Sequence, residues 1–381
     1  MQDERVSRII KYLKDIYTFD YVFSTKELKK YGFKNWKIKS EWTQNPIYFS
    51  PNEKEKCLTV MAFGGCIAWI PLDAKKEYFT SSEKGKIKAF ARYLSDKKLF
   101  YKDGYNHIFY LPDSFVEKYS KDRFQKVKDL IKGRENTIEE LLTNVEFVDM
   151  LVCAAYVRYM HRPKGIMEDV SERSMETMVA SQAWQKYEQN NMLVIDIEYK
   201  PELSNKVPAI DFLLLDKDSK SFGLVEFKYQ GMSMDEKSSN DLSVHFDDFI
   251  KIILDKEVKR KVLSNIIDKL SLLLESGIFV ELRDLMNEIK EKIQNDDIEN
   301  SLWCGFYFLD EKRMISSRKE LDGNVPLIER IEYDCKRQII SNQIFADVIK
   351  NREIDVRYQH SYLEEDIQIR MNENLIDKFS E

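Results

Sequence analysis

The alternation of apolar and polar positions predicts a helix, a strand and a β-hairpin in the middle of the chain. The helix runs over about residues 169–190, and a strand follows it over 192–199. Two apolar runs, 207–215 and 222–229, then flank a short polar turn, which is typical of a hairpin. A further apolar run at 302–309 indicates a strand that is buried on both faces and lies at the centre of a sheet.

The first 134 residues show the pattern of short helices and hairpins. The predicted elements are helices over 4–17, 24–31 and 80–95, and hairpins over 58–71 and 97–111. Capping boxes mark two of these helices, and turns that contain glycine mark both hairpins. Helices combined with a hairpin wing are compatible with a winged-helix module. Further helices are predicted over 116–160, 242–256, 258–275, 278–294 and 334–350.

Three charged residues interrupt the apolar strands of the central hairpin. A symmetric closure pairs Leu215 with Phe222, and the same register then places Asp211 opposite Glu226. Like charges opposed on neighbouring strands are destabilising, and unpaired carboxylates among apolar residues are costly. Lys228 can offset one of the two charges, but a divalent cation held by both carboxylates relieves the conflict more fully.

The composition indicates that the chain can bury a hydrophobic core and that its N-terminal part is basic while the rest is acidic. Of its 381 residues, 43% are hydrophobic and 33% are charged, which excludes disorder by composition. The net charge is −6, yet residues 1–134 hold 28 basic against 17 acidic side chains, and residues 135–381 hold 32 against 49. This asymmetry predicts a basic nucleic-acid-binding module joined to an acidic domain. A solvated, lysine-rich surface explains the basic excess equally well.

The cysteines and the apolar runs bear on the compartment. Five cysteines are scattered at positions 57, 66, 153, 304 and 335, and none belongs to a Cys-x-x-Cys pair. This usage favours a reducing cytoplasm and argues against a structural zinc site. No apolar run approaches the ~20 residues of a membrane span, and the first residues lack the apolar segment of a signal peptide. We therefore expect a cytoplasmic protein without a membrane partner.

An Asp, a hairpin turn and a Glu-x-Lys at the end of the next strand resemble the PD-(D/E)xK nuclease superfamily. The matching residues are Asp211, Glu226, Phe227 and Lys228, while Ile210 stands where the motif has Pro. The resemblance covers roughly residues 165–310 and implies a restriction-endonuclease-like α/β fold, with a mixed central sheet flanked by helices, in a nuclease-like domain that we expect over 135–381. It also implies Mg²⁺ or Mn²⁺ held by the two carboxylates and the Phe227 carbonyl. Lys228 would orient or deprotonate the attacking water.

The helix before the sheet offers two further carboxylates, Glu172 and Glu176. They lie one turn apart on the same face. Glu172 can complete a capping box that starts at Asp169, whereas a capping role cannot explain Glu176 inside the helix. In the nuclease superfamily a helix Glu approaches the metal cluster, and Glu176 is the better match. Glu172 remains the alternative.

Several residues are candidates for contacts with substrate. Gln230 follows Lys228 on the same face of its strand, and His245 lies close to the sheet in sequence. Lys34, Lys37 and Lys39 alternate with aromatic residues, a combination that suits phosphates and exposed bases. The aromatic residues are more often part of a core, and the histidine is more often bound to a local partner on its helix.

The expected function is that of a Mg²⁺-dependent endonuclease that hydrolyses DNA, of restriction, phage-defence or repair type. A nuclease that acts on RNA fits the same residues. The competing class is a non-catalytic DNA- or RNA-binding regulator with an inactive nuclease-like domain, which has no reason to bind metal at the carboxylates. Cleavage of both strands would favour a homodimer with two active sites.

Overall fold

The chain divides into two compact units. The computed structural model describes residues 4–19, 45–95, 100–102, 108–110, 121–132, 136–160, 172–201, 209–229, 242–295, 297–310, 351, 354–362 and 368–374. The first unit contains Met1–Gln185 and Ser271–Val280, and the second contains Lys186–Leu270 and Glu281–Glu381. The division therefore falls at Gln185, whereas the charge balance predicts a boundary at residue 134.

The first unit combines an antiparallel sheet, a short hairpin and several helices. Its elements are α1 (Glu4–Lys11, continued by a π-helical turn Tyr12–Ile16), β1 (Ile47–Asn52), β2 (Cys57–Ala62), β3 (Gly65–Pro71), α2 (Ser81–Ala91, continued by a 3₁₀ turn Arg92–Ser95), β4 (Phe100–Lys102), β5 (Ile108–Tyr110), α3 (Lys121–Leu130), α4 (Ile138–Leu142), α5 (Val145–Met160) and α6 (Glu172–Gln185). The sheet has the order β1-β2-β3, and β4 pairs with β5.

The predicted hairpin of β2 and β3 is confirmed, and its turn has a definite cause. Gly64 adopts φ +84°, a conformation that glycine reaches without steric cost. A Cβ atom at Gly64 would also lie 3.1 Å from the backbone of Arg173 and Ser174 at the start of α6. The Ser174 hydroxyl donates a hydrogen bond of 2.8 Å to the Phe63 carbonyl. The turn is therefore packed directly against α6.

Helix α6 is buried on every side over most of its length. All residues from Ser174 to Trp184 are buried. The Trp184 ring lies 4.9 Å from Tyr48 and 4.8 Å from Phe279 between ring centres. Small side chains on the remaining faces let neighbouring elements approach closely, so the helix belongs to the core of the first unit.

The second unit is built on a six-stranded mixed sheet. Its elements are β6 (Met192–Tyr199), β7 (Ile210–Asp216), β8 (Ser221–Tyr229), α7 (Leu242–Leu254), α8 (Lys256–Glu275, whose last residues from Ser271 belong to the first unit), a 3₁₀ turn (Val280–Leu282), α9 (Arg283–Gln294), β9 (Leu302–Asp310), β10 (Val356–Tyr362) and β11 (Glu373–Asn374). The strand order is β11-β10-β9-β8-β7-β6.

The directions of the strands make the sheet mixed. Strands β6, β7 and β8 form an antiparallel meander, while β9 runs parallel to both β8 and β10. Strand β9 therefore lies inside the sheet, as its uninterrupted apolar run predicts. The expected architecture, a mixed α/β domain with a central sheet flanked by helices, is confirmed at this level.

Aromatic residues cover both faces of the sheet. On one face the Phe306 ring lies 6.2 Å from Phe246 and 6.3 Å from Phe249, which places α7 over this face. On the other face, Phe227 and Tyr307 stack with 5.7 Å between ring centres. Because side chains alternate along a strand, Glu226 and Lys228, which flank Phe227, point towards α7.

Two expectations concern segments that lie outside the described residues, namely the helices over 24–31 and 334–350. None of the helices in the described part of the chain combines the length and the apolar character that crossing a membrane requires. The four described cysteines, Cys57, Cys66, Cys153 and Cys304, are reduced.

Candidate active site

The register of the β7–β8 hairpin brings two carboxylates to the same level of the sheet. Leu215 pairs with Phe222, as the sequence predicts, and the last pair of the ladder is Phe212 with Val225. Asp211 and Glu226 are the next residues on the two strands. The Phe227 backbone N–H donates a hydrogen bond of 2.8 Å to Asp211 Oδ2. The Asp211 carboxylate is therefore held against the peptide that links Glu226 to Phe227.

Glu226 and Lys228 form an ion pair inside the second unit. Only 2% of Glu226 and 3% of Lys228 is exposed to solvent. The Lys228 ammonium donates a hydrogen bond to Glu226 Oε1. Removing both charges from water costs several kcal/mol per ion, and the attraction between them offsets this cost only in part. A buried ion pair therefore contributes little to the stability of a fold, and its presence here indicates another role.

His245 completes this part of the cluster from helix α7. Its Nε2 atom lies 3.1 Å from Glu226 Oε1, and its side chain is 12% exposed. The sequence marked His245 only as a weak candidate for substrate contact. The structure instead places it against a carboxylate of the sheet. No local signal in the sequence indicates this contact, because it depends on where α7 packs on the sheet.

A second buried ion pair lies on the neighbouring strand and was missed by sequence reasoning. Asp196 Oδ2 lies 2.9 Å from Lys269 Nζ, with 6% and 8% of the side chains exposed. In the register, Asp196 pairs with Leu213, which shares a face of β7 with Asp211. Asp196 interrupts an apolar strand just as Asp211 does, and this pattern was an available signal.

Glu198 adds a strained backbone position at the same level of the sheet. It lies between the pairs Ile197–Phe212 and Tyr199–Ile210 and is therefore opposite Asp211. Its φ is +53°, a left-handed conformation that residues other than glycine rarely adopt. Strands β6, β7 and β8 thus each contribute a carboxylate-bearing residue at this level.

The helix carboxylates belong to the other compact unit. Glu176 is buried within α6, and Glu172 is half-buried at the first position of the same helix. Helix α6 lies in the first unit, so the second unit forms the Asp211–Glu226–Lys228 cluster by itself. A role for Glu176, or alternatively for Glu172, at the metal stays a prediction. Gln230, Lys34, Lys37 and Lys39 lie outside the described residues.

The donor set of the cluster fits a hard divalent cation. Within the described segments, no three or more His, Cys, Asp or Glu side chains are grouped so that they could hold a metal ion. Mg²⁺ needs fewer protein ligands, because it keeps several waters and often binds through one or two carboxylates. Asp211 and Glu226 provide two carboxylates on adjacent strands, with the Phe227 backbone between them. The Phe227 carbonyl stays a ligand implied by the resemblance alone.

The geometry of this cluster indicates a chemical role. Two acidic side chains at one level of the sheet, a buried ammonium and an imidazole make a dense set of ionisable groups. Dense sets of this kind are concentrated at active sites. Comparisons with family models, with curated proteins and with solved structures find no match to this chain.

Proposed function

We propose that the protein is a metal-dependent nuclease that hydrolyses phosphodiester bonds in DNA. The observation that supports this proposal is the hydrogen bond from the Phe227 N–H to Asp211, which holds the Asp211 carboxylate close to the strand segment that bears Glu226 and the buried Lys228. These charges do little for the stability of the fold. Replacing a buried ion pair with apolar residues of similar size commonly leaves a protein as stable as before, or makes it more stable. The chemistry of phosphodiester hydrolysis explains all three residues.

Each residue of the cluster has a definite role in this proposal. Asp211 and Glu226 would hold the cation, and the N–H of Phe227 fixes the orientation of the Asp211 carboxylate. A bound Mg²⁺ or Mn²⁺ supplies charge neutralisation for the scissile phosphate and a more acidic water. Lys228 orients that water and stabilises negative charge that develops on the phosphate. His245 holds the Glu226 carboxylate in place.

The architecture supports this assignment at a coarser level. The three strands of the meander and the parallel β9 form a mixed sheet with helices on its flanks, which agrees with a restriction-endonuclease-like fold. The basic excess of residues 1–134 lies entirely in the first unit. In the proposal the basic side chains of this unit bind backbone phosphates, and the winged-helix form of the module stays a prediction.

The test is a cleavage assay on plasmid and single-stranded DNA, with matched RNA, in Mg²⁺, Mn²⁺ or EDTA. Wild type is compared with Asp211→Asn, Glu226→Gln and Lys228→Met. Asp218→Asn is the matched control, because Asp218 is an exposed carboxylate on the turn of the same hairpin. Each cluster variant should lower the cleavage rate by roughly 10²–10⁴-fold, while the control cleaves as wild type does.

Three outcomes separate the alternatives. Cleavage that needs metal and is lost in all three cluster variants supports the proposal, and the preferred polymer identifies DNA or RNA as substrate. Cleavage that survives Glu226→Gln, or that proceeds in EDTA, contradicts the assigned site. DNA binding without cleavage and without Mn²⁺ binding favours the non-catalytic regulator.

A further inference from the structure

A cleft in the first unit combines two cations with aromatic rings. Its volume is about 370 Å³, which lies within the range of roughly 300–1,000 Å³ that is usual for small-molecule sites. Strand β3 contributes Trp69, helix α2 and the 3₁₀ turn after it contribute Lys86 and Tyr93, and the last turn of α5 contributes Arg158. Three separate elements thus converge on one cavity.

Both cations of the cleft are placed over aromatic rings. The Arg158 guanidinium carbon lies 4.8 Å from the centre of the Tyr93 ring and 5.7 Å from that of Phe90. The Lys86 ammonium lies 5.2 Å from the centre of the Trp69 ring. Arg158 and Lys86 thus bring two cationic side chains to the cleft beside its aromatic rings.

The charge of the cleft selects for an anionic ligand. Among the described residues that line it, Lys86 and Arg158 are basic and none is acidic. Glu83, the acidic residue in the first turn of α2, pairs with Lys76 at 2.8 Å instead. Burial raises the pKa of the Cys66 thiol in the cleft to about 12. The thiol is therefore protonated at neutral pH, which suits reversible binding and not covalent chemistry.

The rings select for a planar ligand. Tyr93 is 37% exposed and Trp69 is half-buried, so both rings keep part of their surface towards solvent. Stacking on a tyrosine or tryptophan ring is the usual way in which proteins bind a nucleobase without reading its identity. Cations beside such rings bind the phosphate that accompanies the base.

We propose that this cleft binds a nucleotide, with the phosphate held by Lys86 and Arg158 and the base placed against Tyr93 or Trp69. The same chemistry is offered by a free mononucleotide and by one nucleotide of a single strand. The site uses neither a metal nor the carboxylates of the second unit. It therefore stands whether or not the nuclease proposal holds.

The experiment is equilibrium dialysis of the full chain in metal-free buffer. The probes are adenosine 5′-monophosphate, adenosine, inorganic phosphate and a (dA)₁₂ oligonucleotide. The variants are Lys86→Ala and Tyr93→Ala, both of which change exposed side chains and should leave folding intact. Lys88→Ala is the control, because it removes the same charge from the same helix at a position that does not line the cleft.

The expected result is that the monophosphate or the oligonucleotide binds, while adenosine and phosphate alone bind at least roughly tenfold more weakly. Lys86→Ala and Tyr93→Ala should each weaken binding by roughly tenfold, and Lys88→Ala should not. Binding of the oligonucleotide alone identifies a single strand as the source, and binding of both probes identifies any nucleotide. The proposal is overturned if neither probe binds, if phosphate alone binds as tightly as the monophosphate, or if both cleft variants bind as wild type does.

Discussion

Neutralising the buried ion pair on β8 separates a catalytic role from a structural one. Lys228→Met removes the ammonium and leaves the Glu226 carboxylate at 2% exposure. Glu226→Gln removes the negative charge and leaves a buried ammonium beside a neutral amide. The double variant, Glu226→Gln with Lys228→Met, removes both charges and keeps the side-chain volumes nearly unchanged.

The magnitudes follow from the burial of the two side chains. Breaking a buried ion pair by removing one partner typically costs about 3–5 kcal/mol, whereas replacing both partners is often neutral or stabilising by about 1–4 kcal/mol. In Lys228→Met the carboxylate keeps His245 at 3.1 Å, so this loss should lie at the lower end of the range. Glu226→Gln should lie at the upper end. The double variant should be more stable than either single variant.

The assay is urea denaturation followed by hydrogen exchange in peptides from β7, β8 and β9, so that the transition of the second unit is measured on its own. Lys220 and Glu288 form an exposed ion pair in the same unit and supply the control. Lys220→Met should change the free energy of unfolding by no more than about 1 kcal/mol.

Two results would refute this reasoning. One is a loss of less than about 1 kcal/mol in both single variants, which would mean that the charges are solvated and not buried. The other is a double variant that loses the sum of the two single losses, which would mean that the groups do not interact. A stable double variant without cleavage activity is the signature of charges that are retained for catalysis.

Three further changes test other parts of the account. Gly223→Ala should destabilise the second unit by about 1–3 kcal/mol in urea denaturation, because a Cβ there would lie 2.3 Å from the Trp303 ring; an unchanged midpoint would show that the ring can move. Burial alone would raise the pKa of Asp216, but hydrogen bonds, first among them that from Arg357, lower it below its usual 3.8. The Asp216 carboxylate therefore stabilises the fold above pH 3.8, and this stabilisation is lost as the pH falls through the lower pKa of the folded state. Asp216→Asn should be less stable than wild type at neutral pH and should lose less stability than wild type on acidification. His245→Ala should lower cleavage and Mn²⁺ affinity by roughly tenfold while the fold is kept, and His245→Asn should recover part of both; equal loss in the two variants would leave no positioning role.

The elements with strong patterns could be predicted from the sequence. The apolar runs around the 216–221 turn define the hairpin and the pairing of Leu215 with Phe222, since a slip by one residue would turn every apolar side chain to the other face. Strand β1 was missed, because its apolar residues extend only from Ile47 to Phe49 before Pro51 interrupts them. Pro51 is tolerated there because β1 lies at the edge of its sheet.

Contacts between distant segments could not be predicted in the same way. Nothing local to His245 shows that α7 covers the face of the sheet that bears Glu226. The pairing of Asp196 with Lys269 likewise depends on where α8 packs. The burial of α6 on every face likewise depends on how the first unit packs around this helix. Tertiary packing decides these positions, and periodicity contains no information about it.

Calorimetric titration of Mn²⁺ onto the protein tests the central claim most directly, because it requires no knowledge of the target nucleic acid. The account predicts a Mn²⁺ site in wild type and in the Asp218→Asn control. Asp211→Asn should weaken that site by at least roughly tenfold. Mn²⁺ binding of equal strength in wild type and Asp211→Asn, or no binding in wild type up to millimolar metal, would contradict the assignment of Asp211 and Glu226 as a metal centre.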